Sequence, residues 1–322
     1  MEILNIIWFV LILVLFTGFF ILEGFDYGVG MLILGKSSSE RSTIIKSIAP
    51  FWHANQVWMI TAGGALFAAF PGVYSTMFSA FYVALFLLLF ALIFRGVAFE
   101  LRHHIPQIDF AIVFGSFLPA VIWGVAFANL LKGIPINSQF ISTGNFFDLL
   151  SPYTILAGLT FLLLFLFHGA AFLLLRLGDE GLLLNIKKSI LCFGVPAFIL
   201  YVAFFISTFF ATDAPRNFSW YSPFFIGTIC LFNSIVAIKR DKTAAGFIFS
   251  SLSIAGLILG MFVALFPRLM VSSLNPDWSL TIYNAASTPH TLAIMTGAAV
   301  VLVPIVLIYQ AWSYRLFKER VQ

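Results

Sequence analysis

The sequence predicts an all-α, polytopic integral membrane protein, and three observations predict it. Of 322 residues, 61% are hydrophobic and 9% are charged, against about 45–50% and about 25% in an ordinary soluble domain. The charges are also unevenly placed: apolar stretches long enough to cross a bilayer, roughly 20 residues each, alternate with short connections that hold most of them. Finally, the basic residues concentrate on every second connection. This composition excludes a cytosolic enzyme, a nucleic-acid binder and a disordered chain. A transmembrane β-barrel would show short alternating segments instead of long unbroken apolar runs.

Nine transmembrane helices are expected. The first, near 4–34, carries Glu23 and Asp26 inside it, and no Lys or Arg precedes Lys36. Without a basic n-region it reads as a retained span and not as a cleaved signal peptide. The stretch 47–94 is free of charged residues and too long for one helix. Phe70-Pro71-Gly72-Val73-Tyr74 is a turn signal near its middle, so it divides into helices near 52–70 and 74–94. The remaining spans are expected near 109–131, 152–175, 189–211, 222–238, 243–266 and 288–314. Fourteen of the 17 Lys and Arg then fall on the odd-numbered connections and the C-terminal tail, and only Lys132, Arg216 and Arg268 fall on the other side. By the positive-inside rule the N-terminus lies outside and the C-terminus in the cytoplasm. The loops 132–151 and 267–287 are too short to form a soluble domain, so residues 1–322 read as one membrane domain. Cys192 and Cys230 fall inside predicted spans and suggest packing, not a disulfide or metal site.

Ionisable residues within spans are costly and mark a protein interior or a water path. Glu23 and Asp26 are spaced i, i+3 and share a helical face. Gly24 and Gly28 beside them form a small-xxx-small pair that admits a close neighbouring helix. The second predicted span opens with Trp52-His53-Ala54-Asn55-Gln56-Val57-Trp58, Arg95 and Glu100 follow the third, and His168 lies in the fifth. By depth, Glu23, Asp26, His53, Arg95, Glu100 and His168 all fall in the cytoplasmic half. A proton-conducting cluster and a structural polar network both fit them. His53 and His168 have comparable depth, as paired haem ligands would need, but intramembrane histidines often hydrogen-bond instead. His103 and His104 belong to a cytoplasmic loop, and His290 lies near the external end of the last span. No nucleotide, metal-cluster or nucleophile motif is present, so the chain shows no complete active site of its own.

Gly24-Phe25-Asp26-Tyr27-Gly28-Val29-Gly30, Trp52-His53-Ala54-Asn55-Gln56-Val57-Trp58 and the block Thr61 to Pro71 resemble subunit II of the cytochrome bd quinol oxidases. So do Phe94-Arg95-Gly96-Val97-Ala98-Phe99-Glu100, Gly144-Asn145-Phe146-Phe147, Phe249-Ser250-Ser251-Leu252 and Leu302-Val303-Pro304-Ile305, in order along nearly the whole chain. The resemblance implies two four-helix bundles plus one peripheral helix in a prokaryotic cell membrane, paired with a homologous subunit I. It implies a complex that oxidises membrane quinol and reduces dioxygen to water, in contact with lipid and quinone, with room for a small single-helix subunit. Haems b and d, or a b-type variant, would sit in subunit I, with no ligand from this chain; His53 and His168 are then demoted as ligands.

The resemblance also implies a cytoplasmic proton entry through Glu23, His53 and Glu100, with Asp26 beside them. Position 53 is commonly aspartate in the family, so His53 is a departure. An apolar oxygen route is implied past Trp58, for which interface packing is the other reading. Asn55, Gln56, Arg95 and His168 are expected as supporting polar groups. From the residues alone, a proton-coupled secondary transporter using the helix-one carboxylates is the competing function.

Overall fold

In a computed structural model, residues 2–102, 104–214, 218–317 and 319–321 are described; His103, Arg216 and Lys318, named or counted above, lie outside the described residues. Eleven α-helices follow in order: α1 (Glu2–Leu32), α2 (Ser38–Ile48), α3 (Trp52–Ala69), α4 (Pro71–Ala80), α5 (Tyr82–Leu101), α6 (Asp109–Lys132), α7 (Pro152–Arg176), α8 (Glu180–Ala211), α9 (Phe218–Lys239), α10 (Thr243–Leu265) and α11 (Pro289–Leu316). Among the described residues, eight helices are long and apolar enough to cross a membrane. The residues of the other expected span, near 52–70, form the helix α3, which is not one of the eight. Its 18 residues begin with the polar group His53, Asn55 and Gln56, which sets it apart from the eight.

Several expected boundaries move for local reasons. The predicted span 74–94 is two helices that break at Phe81, and its second part runs seven residues further, to Leu101. Arg95 therefore lies within α5 and does not close it. The predicted span 189–211 begins at Glu180, because the Asp179 carboxylate caps the Leu182 amide at 2.6 Å and an acid in the first turn suits the helix dipole. Lys187 and Lys188 are thus helical. Residues 38–48, a polar connection in the sequence, form α2. Ser37 and Glu40 close a reciprocal capping box at its start.

α1 is the central post: it packs on α3, α6, α7 and α10, while α7 also packs on α6, α8 and α10. Glycines set the closest crossing. A Cβ on Gly169 would lie 2.6 Å from the Gly28 backbone, so α1 and α7 meet main chain to main chain, at the small-xxx-small pair of α1. Above this crossing Phe16, Phe20, Trp123, Phe127, Phe161 and Phe165 interlock edge to face and stacked, filling the interior with rigid apolar volume. α11 lies at the margin, with Leu292 its one buried residue.

The two ends of the helix array are built differently. At one end α2 is tied down by Arg41 on Asp109 (3.6 Å), which Arg102 also pairs at 3.3 Å; Lys187 pairs with Asp241 there, and Val321 bonds back to Arg176 and Gly178. At the other end the two long loops grip each other through Ile134 N–H to Val271 O (3.0 Å) and Ser273 N–H to Ile134 O (2.9 Å). There β1 (Arg268–Met270) pairs antiparallel with β2 (Leu280–Thr281), and Arg268 holds Asp213 with two bonds of 2.6 and 2.8 Å.

Candidate functional site

The residues singled out by the sequence separate into three groups. Glu23 and Asp26 on α1, Arg95 on α5 and Asn55 on α3 meet inside the protein, each fully buried. Arg95 Nη1 donates to Glu23 Oε1. Asn55 Nδ2 donates to Asp26 Oδ2 at 2.8 Å, and the Gln56 side chain lies near the Glu23 carboxyl. The Arg95 guanidinium also lies 4.8 Å from the Tyr27 ring centre and 5.4 Å from that of Phe99. Two acids face one base here, so a neutral cluster requires one carboxyl to carry a proton. Unpaired charge is strongly disfavoured in such an interior. Glu23 Oε2, Asp26 Oδ1, and Arg95 Nε and Nη2 are buried with no protein partner, which is the pattern of groups completed by ordered water.

His53 and Glu100 form a second group. His53 Nε2 lies 3.8 Å from Glu100 Oε1, and the two side chains are 70% and 72% exposed. The His53 ring leans on Trp52, with centroids 3.6 Å apart, and Trp52 leans on Phe99. Around this polar pair the outward face is apolar, with Val57, Phe94, Val97 and Leu101 exposed. The depth-based expectation of one common cluster is therefore corrected. α3 turns Asn55 inward and His53 outward, because positions 53 and 55 lie about 200° apart at 3.6 residues per turn, and leaves Gln56 half-buried between them.

His168 belongs to a third group on α7. Its Nε2 lies 3.0 Å from the Ile21 carbonyl and its Nδ1 2.7 Å from Ser250 Oγ. A carbonyl only accepts, so Nε2 carries the hydrogen, and in the neutral ring Nδ1 accepts from Ser250. Both nitrogens are engaged, so His168 does not fit an axial ligand of a haem. His104 and His290 are exposed, and among the described residues no group of three or more His, Cys, Asp or Glu could hold a metal ion.

Trp58 donates its indole N–H to Gln310 Oε1 at 2.8 Å, and its ring occupies the space that a side chain at Gly18 would need. It joins α3 to α1 and α11 within this chain. One residue further along, Met59, Ile60 and Gly63 line an apolar cavity of about 640 Å³ that reaches Trp123 and Phe127 of α6. Tyr314, which donates its hydroxyl to Asn55 Oδ1 at 2.9 Å, was missed as a site residue. Two residues from the end of α11, between Trp312 and Arg315, it reads as an interfacial aromatic.

The family model described as "Cytochrome bd terminal oxidase subunit II" matches residues 4–317. Cytochrome bd-I ubiquinol oxidase subunit 2 of Escherichia coli K12 is 39% identical, over 100% of this chain and 97% of its own. Cytochrome bd ubiquinol oxidase subunit 2 of Bacillus subtilis is also 39% identical, over 100% of this chain and 98% of its own. In fold, the chain is similar to one in the structure of the bd oxidase of Geobacillus thermodenitrificans, with a TM-score of 0.78, 15% identity and 98% of each chain covered. With a match along almost its full length, the chain belongs to the cytochrome bd terminal oxidase subunit II family.

Proposed function

We propose that this chain is the haem-free half of a quinol:dioxygen oxidoreductase in a prokaryotic cell membrane, that it scaffolds a homologous haem-bearing subunit I, and that it admits protons to it from the cytoplasm. The observation that carries the reading is the pair His53–Glu100 on an otherwise apolar face. Two titratable side chains cannot face lipid at low cost, so a protein partner is the fitting cover for α3 and α5. The relatives named above are oxidase subunits by name, which supports reading that partner as subunit I, with the haems b and d or a b-type variant and the quinol substrate. α1, α3, α5 and α6 form one four-helix bundle in this reading, α7 to α10 the other, and α11 is the peripheral helix, with the N-terminus outside.

Protons enter at Glu100 and His53, where the partner seals the surface, and Gln56 leads from this face of α3 to Glu23 and Asp26. Histidine at position 53 keeps a titratable group where the family pattern has a carboxylate. Dioxygen, being apolar, uses the cavity lined by Met59, Ile60 and Gly63, the residues that follow Trp58 on α3. A full-length match to an oxidase family and a polar cluster lying to one side favour this over a transporter.

The test is purification of the chain with and without its subunit I. The pair should consume oxygen with quinol and show haem in its optical spectrum, while the chain alone should lack stoichiometric haem. Stoichiometric haem in the isolated chain would end the reading.

A further inference from the structure

α11 is almost unburied, yet it sends one side chain into the acid cluster. Tyr314 Oη–H donates to Asn55 Oδ1 at 2.9 Å, and Asn55 Nδ2–H donates to Asp26 Oδ2 at 2.8 Å. The amide fixes the polarity of this chain, since its nitrogen can only donate and its oxygen only accept. Asp26 Oδ2 is therefore always met by a donor. Asp26 Oδ1 is buried and has no protein partner, so a proton on this carboxyl sits on Oδ1. The phenol ring is held in place independently. It stacks on Phe51 with centroids 4.4 Å apart at 13°, and the Arg176 guanidinium lies 5.4 Å over the same Phe51 ring. A phenylalanine at 314 would keep the stack and lose only the donor.

We propose that Tyr314 is a positioning residue for proton transfer: through Asn55 it locks the Asp26 carboxyl with Oδ2 as the permanent acceptor and Oδ1 as the atom that takes up and releases the proton. The inference rests on the reading of Asp26 as part of the proton path. The titratable and charged groups that face Asp26 are Glu23 and Tyr27 on α1, Arg95 on α5 and Tyr314 on α11, with Arg176 of α7 behind the last. Of these, Tyr314 alone acts on Asp26 through a neutral bridge, so its removal leaves the ion pair of Glu23 and Arg95 in place.

The test uses the assembled two-subunit complex with Tyr314→Phe, Asn55→Ala and Asp26→Asn. Turnover per complex is followed against pH, and the Asp26 carboxyl band is identified in infrared spectra as the one missing from Asp26→Asn. Tyr314→Phe should lower turnover roughly three- to tenfold, the worth of one hydrogen bond. It should leave complex yield unchanged, displace the pH profile and move the Asp26 band. Asn55→Ala should do the same, and the double variant should be no worse than Asn55→Ala, since both cut one chain. Normal turnover in Tyr314→Phe overturns the inference, whether or not the band moves. So does a loss confined to yield. If Asp26→Asn is slow and Tyr314→Phe is normal, the inference alone falls; if Asp26→Asn runs normally, the proton role of Asp26 falls with it.

Discussion

Arg95 of α5 and Glu23 of α1 form an ion pair with no exposure to solvent on either side chain. Together with the Arg95 guanidinium lying over the Tyr27 ring, this pair ties α5 to α1. Breaking a buried pair from one side costs about 3–5 kcal/mol, because the remaining charge is left uncompensated. Arg95→Met should therefore sharply reduce the yield of assembled complex. The double change Arg95→Met with Glu23→Leu should recover much of that yield while oxygen reduction stays impaired. Equal yields for the single and double variants would mean that the pair carries no structural weight.

Glu23→Gln keeps the size and hydrogen bonding of the side chain but cannot exchange a proton at neutral pH. If Glu23 carries protons, turnover per complex should fall on the order of 10²-fold, the lower range for loss of a proton-transferring group, with unchanged haem content. Full turnover in this variant assigns Glu23 a structural role only.

At position 53 the useful contrast is His53→Asp against His53→Leu. The aspartate keeps a titratable group beside Glu100 and should preserve most of the oxygen consumption; the leucine should not. Both side chains face outward, so neither change disturbs this chain's own core, and yields should match. Matching rates for the two variants would remove His53 from the proton entry.

The segregated ends give a labelling test. Ser38 at the start of α2 and Ser138 in the loop after α6 are both exposed. In intact cells, a cysteine at Ser38 should react only from the cytoplasmic side and one at Ser138 only from outside. Reversed labelling would invert the topology.

At the loop-bearing end, the two bonds from Arg268 hold the Asp213 carboxyl below its usual range. A depressed carboxylate pKa adds stability that is present above the unfolded value of about 3.9 and is lost as pH falls through the folded one. Protease resistance of the segment 267–287 should thus be flat through neutral pH and decline only on strong acidification. Arg268→Ala should lose up to about 1 kcal/mol of local stability already at neutral pH, a surface pair being worth no more. An unchanged nicking rate in Arg268→Ala would show that the backbone grip of Ile134 on Val271 suffices.

Much of this fold is legible in the sequence because the bilayer simplifies the code. Where an apolar run is bounded by charge, the helix lies within a residue or two of it: Asp109–Lys132 for 109–131, Pro152–Arg176 for 152–175. Legibility fails where charge is not a boundary. Arg95 ends an apolar run and reads as a surface residue, but the pair with Glu23 draws it inside. Lys187 and Lys188 look like a loop and ride on the extension of α8. α2 is too short and too polar to register as a span, and only its Ser37–Glu40 box betrays it. The site was half visible. The i, i+3 spacing of Glu23 and Asp26 gives their shared face, whereas the outward turn of His53 and the inward turn of Tyr314 depend on how α3 and α11 are rotated against their neighbours, which neither helix records in its own sequence.

α11 shows what that rotation depends on. Along 28 residues it buries almost nothing, but its polar contacts to the rest of the chain occur at three heights: Trp8 on Thr296 at 3.0 Å, Trp58 on Gln310 at 2.8 Å and Tyr314 on Asn55 at 2.9 Å. These positions fall on one stripe, four turns and then one turn apart. They work like the wards of a key: a slip of one turn, about 5.4 Å, breaks all three together and strands two indoles and an amide in a medium without water. The helix is therefore docked fully or not at all. Its docking is also a late event, because Trp8, Asn55 and Trp58 all leave the ribosome long before their partners exist. Until α11 arrives, the acid cluster lacks its outermost donor, so closure of the chain and completion of the site are one step.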